Sequence, residues 1–170
     1  DFGLLHKPQK SRIDLDAISS RKPFTKRKAI SMIVSGKACL AGHQWRLSVA
    51  QALSEIGGTY VDFYGFGHNA LPYKAAALDE YCFSVVIENS DSSFYWTEKL
   101  ADCLLGGAMP IYSGAKHAKL DLGYEFPEIT FGDDPMQTAR KILSIAENTE
   151  WSRQIAETLR NRILHQHNFL

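Results

Sequence analysis

Lys99 stands where a cation is uncommon, in the first turn of a helix predicted over Thr97–Leu105. The helix macrodipole is positive at that end and disfavours a cation there by up to about 1 kcal/mol. A bound anion would remove this penalty, because a helix N-terminus also offers unpaired N–H groups. Taken alone, Lys99 is better explained by exposure to solvent or by an ion pair with Asp102, three residues further on.

Arg46 is a second cation predicted close to the start of a helix. It lies near the start of a helix predicted over Gln44–Ile56, after the loop Gly36–Gln44. Two strand–loop–helix units would therefore each place a cation at the same edge of a sheet. The planar fork of an arginine suits two phosphate oxygens, and lysine supplies a movable point charge. Arg46 and Lys99 together predict a diphosphate site.

Polar groups accompany the two cations. Glu98 lies in the same first turn as Lys99 and could accept hydrogen bonds from both vicinal hydroxyls of a ribose, or simply complement the helix dipole. Glu88-Asn89 ends a strand that is otherwise apolar, and a charged residue in that position favours a functional interpretation. Tyr95 is predicted to line the site, whereas Trp96 is predicted to pack on the core.

The surrounding pattern alternates strands and helices. Short apolar runs predict strands, and helical periodicity predicts the segments between them. The predicted strands are Ala29–Ser35, Tyr60–Tyr64, Cys82–Ile87, Met109–Tyr112 and Glu128–Phe131; the predicted helices are Gln44–Ile56, Tyr73–Tyr81, Thr97–Leu105, one beginning at Pro135, and Glu150–His165. This order predicts an α/β fold, a Rossmann-like parallel sheet with helices on both faces. Such sheets bind ligands outside the carboxyl ends of their strands.

Composition indicates one globular domain. The 170 residues are 45% hydrophobic and 22% charged, with no net charge, which argues against a nucleic-acid binder. Residues 1–28 hold eight Lys and Arg against three Asp, a net +5. We interpret them as a basic linker or N-terminal extension before a domain at 29–170. An anionic membrane surface or a nucleic acid is the alternative partner for this stretch, but aromatic residues do not interleave with its charges.

The cysteines and apolar runs bear on the compartment. Cys39, Cys82 and Cys103 have neither metal-site nor redox-pair spacing, so no metal site is predicted. The odd cysteine count and the lack of an Asn-x-Ser/Thr sequon favour a reducing compartment. No apolar run approaches the about 18 residues of a transmembrane helix. We therefore expect a cytoplasmic setting, either free or membrane-associated.

Several segments together carry a family resemblance. They are Gly42–Arg46 (GHQWR), Val61–Gly65 (VDFYG), Glu88-Asn89-Ser90, Tyr95–Lys99 (YWTEK), Gly107–Tyr112 (GAMPIY) and Gly114. In order and spacing they resemble the donor-binding signature of glycosyltransferase family 10, the α-1,3/4-fucosyltransferases. The resemblance covers about Ala29 to Gly114.

This resemblance implies one half of a GT-B fold, the C-terminal domain that binds GDP-fucose, with the N-terminal acceptor domain absent from this chain. It implies an inverting transfer of fucose to a glycan hydroxyl, with no obligatory metal and with the general base in the absent domain. Arg46 and Lys99 would hold the diphosphate and Glu98 the ribose, while Glu88, Asn89 and Tyr95 would complete the donor site. Two alternatives stay open: a transferase for another nucleotide sugar, and a non-catalytic nucleotide-binding module. A domain that binds nucleic acid through residues 1–28 is a third.

Overall fold

A computed structural model describes residues 25–166 of the chain. Its strands are β1 (Lys28–Val34), β2 (Val61–Gly65), β3 (Tyr81–Ile87) and β4 (Met109–Ser113). Its helices are α1 (Ala41–Ile56), α2 (Glu98–Leu105), α3 (Ala118–Leu122), α4 (Pro135–Asn148) and α5 (Arg153–Gln166). The four strands form one parallel sheet in the order β2-β1-β3-β4. The chain is therefore an α/β domain of the Rossmann-like class, as predicted.

The strand order determines where the helices lie. The chain moves outward from β1 to β2 and then crosses back to β3 and β4, so right-handed crossovers put α1 on one face and α2 on the other. Each of these helices packs against a later one, α1 against α4 and α2 against α5. The two pairs cover the sheet from opposite sides. Fully buried apolar side chains join the layers, among them Met32, Leu53, Leu100, Ile111 and Ile142.

The predicted fifth strand, Glu128–Phe131, is wrong. Only Glu128 forms a bridge, parallel to Tyr112 of β4. The Tyr112 N–H donates to Pro127 O (2.9 Å) and the Ile129 N–H donates to Tyr112 O (2.9 Å). The chain then turns at Gly132, whose φ of 85° suits glycine. A pairing this short cannot extend into a ladder.

The helix predicted over Tyr73–Tyr81 is also wrong. The segment makes a single 3-10 turn, Lys74–Ala77, and Tyr81 already belongs to β3. The connection between β2 and β3, residues 66–80, therefore contains no α-helix. Its Lys74 and Leu78 line the cavity of the candidate site.

The basic stretch at 1–28 reaches into the folded domain at its end. Residues 1–24 lie outside the described residues, as does His167. Lys28 begins β1, one residue before the boundary that the sequence suggested. Lys26 Nζ donates to Leu78 O (2.9 Å) and Gly106 O (2.7 Å), and burial lowers the pKa of Lys26 to about 8. Lys26 thus secures the chain against the carboxyl end of α2.

α4 begins at Pro135, as the sequence predicted, and a side-chain cap precedes it. Asp134 Oδ1 accepts a hydrogen bond from the Gln137 N–H (2.9 Å), and Pro135 occupies the first turn. We expect Asp134→Ala to lower the free energy of unfolding by about 1 kcal/mol, because a capping acceptor is lost. Urea denaturation measures the change. Asp133→Ala, which removes an exposed neighbouring carboxylate that is not the cap, is the control, and equal losses in the two variants would contradict the capping role.

Candidate functional site

A cavity of about 170 Å³ opens at the carboxyl ends of β1 and β3. Its walls come from both strands, from the 3-10 turn and from the starts of α1 and α2. The lining residues include Ser35, Arg46, Lys74, Ser84, Glu98, Lys99 and Asp102. Arg46 and Lys99, predicted to meet at one edge of the sheet, both line it. The structure thus brings the two cations together.

Lys99 is held by a buried carboxylate. Its Nζ lies 3.0 Å from Glu88 Oε2 and 3.0 Å from Thr97 Oγ1. The alternative that Lys99 pairs with Asp102 is wrong, because Asp102 forms an ion pair with Lys74 across the cavity. The Lys99 side chain is only 28% exposed, so the solvent-exposed alternative fits no better. Lys99 belongs to the wall of the cavity.

Glu88 joins the end of β3 to the start of α2. Its side chain is 3% exposed. Oε1 accepts a hydrogen bond from the Thr97 N–H (2.9 Å), and Oε2 lies 2.7 Å from Thr97 Oγ1. Thr97 in turn caps α2 by accepting from the Lys99 N–H (3.3 Å). One carboxylate therefore fixes both the helix start and the ammonium beside it.

Arg46 is buried, with 4% of its surface exposed. Its hydrogen-bond partners are neutral: Nη1 donates to Asn89 Oδ1 (3.2 Å) and Nη2 donates to Ser35 Oγ (2.7 Å). Nε is buried and has no hydrogen-bond partner within residues 25–166. Burial lowers the pKa of Arg46, and the nearby charge of Glu88 partly opposes that effect. The guanidinium retains a donor without an acceptor.

The buried charges around this cavity do not cancel, although the formal charges of the whole set do: Lys74 pairs with Asp102, and the remaining carboxylate, Glu98, is exposed. Arg46 and Lys99 face the single buried carboxylate of Glu88, which leaves one positive charge in excess. Burying a charge is costly unless an opposite charge compensates it. Glu98 lies at the rim, 66% exposed, with Oε1 4.0 Å from Lys99 Nζ. It remains accessible to a ligand and only weakly offsets the excess, so the site favours an anion.

Gly42 explains how Arg46 reaches the end of β3. A Cβ on Gly42 would come within 2.1 Å of Asn89 O, so only glycine permits this approach of α1. His43, interpreted from the sequence as a loop residue, instead lies in the first turn of α1 and is 6% exposed. Its Nδ1 has no hydrogen-bond partner in the described part of the chain. The contact between Gly42 and Asn89 sets the position of the guanidinium.

The aromatic residues of the loop before α2 fall into two groups. Trp96 packs partly buried on the core, as predicted, and its Nε1 donates to Asp121 (3.3 Å). Tyr95 is 72% exposed, and its backbone is held by Ser92 Oγ. Phe94 stacks on His117 at 4.5 Å. Of the residues predicted for the site, Arg46, Glu98 and Lys99 line the cavity. Asn89 and Glu88 do not line it but hydrogen-bond to Arg46 and Lys99, and Tyr95 does neither.

Sequence reasoning assigned no ligand-binding role to Ser35, Lys74 and Asp102, which line the cavity, or to Thr97, which holds Lys99 beside it. Thr97 could have been found, because threonine directly before a helix is a preferred N-cap. Ser35 follows the last residue of β1, which is where a parallel sheet presents side chains to a ligand. Lys74 and Asp102 approach each other from distant parts of the chain, and no local signal predicts their pairing.

The fold and the cavity together define a Rossmann-like α/β domain that places two cations, Arg46 and Lys99, at the carboxyl ends of its strands. No family model matches the sequence. Solved structures with a similar fold include an α1,3-fucosyltransferase (18% identity over 88% of this chain and 40% of that chain, TM-score 0.48). Another is an α1,3-fucosyltransferase with GDP-fucose (17% identity, 91% of this chain and 52% of that chain, TM-score 0.49). A GtfA/B complex is a third (14% identity, 81% and 33%, TM-score 0.46).

The chain therefore spans about half or less of the length of these structures. Within the described range, no helix combines the length and the apolar character that crossing a membrane requires. The same range holds no group of three or more His, Cys, Asp or Glu side chains placed to hold a metal ion.

Proposed function

We propose that this chain binds the donor of a glycosyltransferase, and that the donor is GDP-fucose. One observation carries the proposal: among the described residues the buried guanidinium of Arg46 has only neutral hydrogen-bond partners, and it lines the same cavity as Lys99 at the start of a helix. A diphosphate would supply the missing negative charge and accept from both cations. The choice of GDP-fucose comes from the segments that resemble fucosyltransferases, above all YWTEK at Tyr95–Lys99.

The side chains around the cavity have separate roles in this proposal. Arg46 and Lys99 bind the diphosphate. Glu98, which is exposed at the rim, accepts hydrogen bonds from the ribose hydroxyls. Glu88 keeps Lys99 and the helix start in place, because both of its carboxylate oxygens are engaged. Asn89 orients Arg46, and Tyr95 covers the nucleotide from the exposed loop.

The chemistry follows from this charge arrangement. An acceptor hydroxyl attacks the anomeric carbon, the bond from that carbon to the β-phosphate oxygen breaks, and GDP leaves with an added negative charge. Fixed cations aimed at this oxygen stabilise the transition state more than the ground state. The proton of the acceptor hydroxyl requires a general base. We place that base in a separate acceptor domain, as the family resemblance implies.

A nucleotide panel tests the proposal. Melting temperatures of the 170-residue chain are measured with GDP, GDP-fucose, a UDP-sugar and a CMP-sugar at equal concentrations. We expect both GDP compounds to raise the melting temperature most, because at equal concentration the ligand that binds most tightly stabilises the protein most. A ligand at 100 times its Kd adds about 2.7 kcal/mol. A larger shift with a UDP- or CMP-sugar would show that the chain prefers that nucleotide and would overturn GDP-fucose as the donor. No shift with any nucleotide would contradict the proposed function itself.

A further inference from the structure

A second recess, of about 430 Å³, opens at the end of β4. It shares no lining residue with the Arg46 cavity. Its polar side chains are Asp91, Ser113, Lys116, Glu128, Thr130 and Lys141. The aromatic rings of Tyr112 and Phe131 contribute to its walls. The recess is therefore polar, with aromatic surface behind the polar groups.

Ser113 is the residue of this recess whose surroundings most favour a bound ligand. It is the last residue of β4 and only 3% exposed, yet its Oγ has no hydrogen-bond partner within the described residues. A buried hydroxyl without a partner costs stability, and replacing it with an apolar group removes that cost. A hydroxyl in this position is useful when a ligand completes its hydrogen bonds.

The charges of the recess indicate what that ligand is. Two carboxylates, Asp91 and Glu128, and two ammonium groups, Lys116 and Lys141, line the recess, so the lining has no net charge. Glu128 also forms an ion pair with Lys119 outside the recess (3.3 Å). Asp91 and Lys116 approach each other to 3.8 Å. Such a lining offers acceptors and donors side by side, which suits a neutral ligand with several hydroxyls. A monosaccharide ring meets both needs, because its hydroxyls donate to carboxylates and accept from ammonium groups.

The recess adjoins the proposed diphosphate site through Glu88. The Glu88 N–H donates to Ser113 O (2.9 Å). A Cβ on Gly114 would come within 2.5 Å of Glu88 Cγ, so the two chain segments are in direct contact. The carboxylate that holds Lys99 is thus a direct neighbour of the strand end that carries the Ser113 hydroxyl.

We propose that the Ser113 recess binds the transferred sugar of the nucleotide sugar, with Ser113 Oγ hydrogen-bonded to one of its hydroxyls. This assignment rests on the proposed function, since the diphosphate anchors the donor. The recess then selects the sugar, whereas the Arg46 cavity selects the nucleotide. Ser113 is a specificity-determining residue in this arrangement.

Calorimetric titration of the 170-residue chain with GDP and with GDP-fucose tests the assignment. We expect Ser113→Ala to weaken GDP-fucose binding about 5- to 10-fold through the lost hydrogen bond, and Ser113→Leu to weaken it further by filling the recess. GDP affinity should stay the same in both variants. Thr138→Val is the matched control, because Thr138 also carries a buried hydroxyl without a described partner, in α4.

The outcomes separate this inference from the proposed function. If the wild-type chain does not bind GDP, the proposed function fails. If GDP binds and the Ser113 variants keep the wild-type affinity for GDP-fucose, the sugar assignment alone is overturned, and a trapped water accounts for the hydroxyl. Melting without ligand adds a second readout: Ser113→Ala should melt at or above the wild-type temperature. A lower melting temperature would show that the hydroxyl has a structural partner and would also contradict the assignment.

Discussion

Arg46→Ala is expected to weaken GDP binding at least about 100-fold, because the guanidinium would make two hydrogen bonds to the diphosphate and each charged hydrogen bond contributes about 1.5–3 kcal/mol. The free energy of unfolding should change much less. Arg46 is buried without a hydrogen-bonded carboxylate in the described structure, so its removal deletes a costly charge along with its two neutral contacts. Calorimetric titration and urea denaturation measure the two effects separately.

Two further variants make this result specific. Arg140→Ala removes an exposed arginine from α4 and should leave GDP affinity unchanged. Arg46→Lys keeps the charge but loses the planar fork, so its affinity should lie between those of wild type and Arg46→Ala. Wild-type affinity in Arg46→Ala would end the diphosphate assignment. A loss of equal size in Arg140→Ala would show that net charge, and not the cavity, governs binding.

The sheet was predictable chiefly because β1, β3 and β4 are short apolar runs that are largely buried. The predicted ends of β1 and β3 are each within one residue of the observed ends. An uninterrupted apolar run of this length is stable where it is buried on both sides, as in the middle of a parallel sheet. Glu128–Phe131 (EITF) is shorter and half polar, and it forms only a bridge. Its pairing is ended by the turn at Gly132, and the position of a turn relative to a neighbouring strand is a tertiary property.

The meeting of Arg46 and Lys99 was predictable from topology, but their partners were not. Parallel strands bring every βα turn to one edge, and both cations lie just after such turns. Asp102, one helical turn from Lys99, was the only partner that helical spacing could suggest. The actual partner, Glu88, lies eleven residues away across a loop. The burial of Arg46 depends on the approach of Gly42 to Asn89, and sequence spacing does not encode that approach.

Glu88→Ala is expected to lower the free energy of unfolding by about 3 kcal/mol, the low end of the cost of breaking a buried ion pair. Lys99, which is 28% exposed, would keep part of its hydration. The same change removes the acceptor of the Thr97 N–H and loosens the start of α2. Urea denaturation measures the loss. Glu98→Ala, which removes an exposed carboxylate 4.0 Å from the same ammonium, should change stability by no more than about 0.5 kcal/mol.

A double variant separates the ion pair from the helix cap. In Glu88→Ala/Lys99→Met no uncompensated ammonium remains, so this variant should recover part of the stability that Glu88→Ala loses. The unrecovered part reports the lost contacts to Thr97 together with the lost opposite charge near Arg46. If the double variant recovers nothing, the Lys99 charge is solvated in the absence of Glu88. Lys99 would then behave as an ordinary surface lysine. Water would screen its positive charge, and the argument that the cavity favours an anion such as a diphosphate would lose that charge.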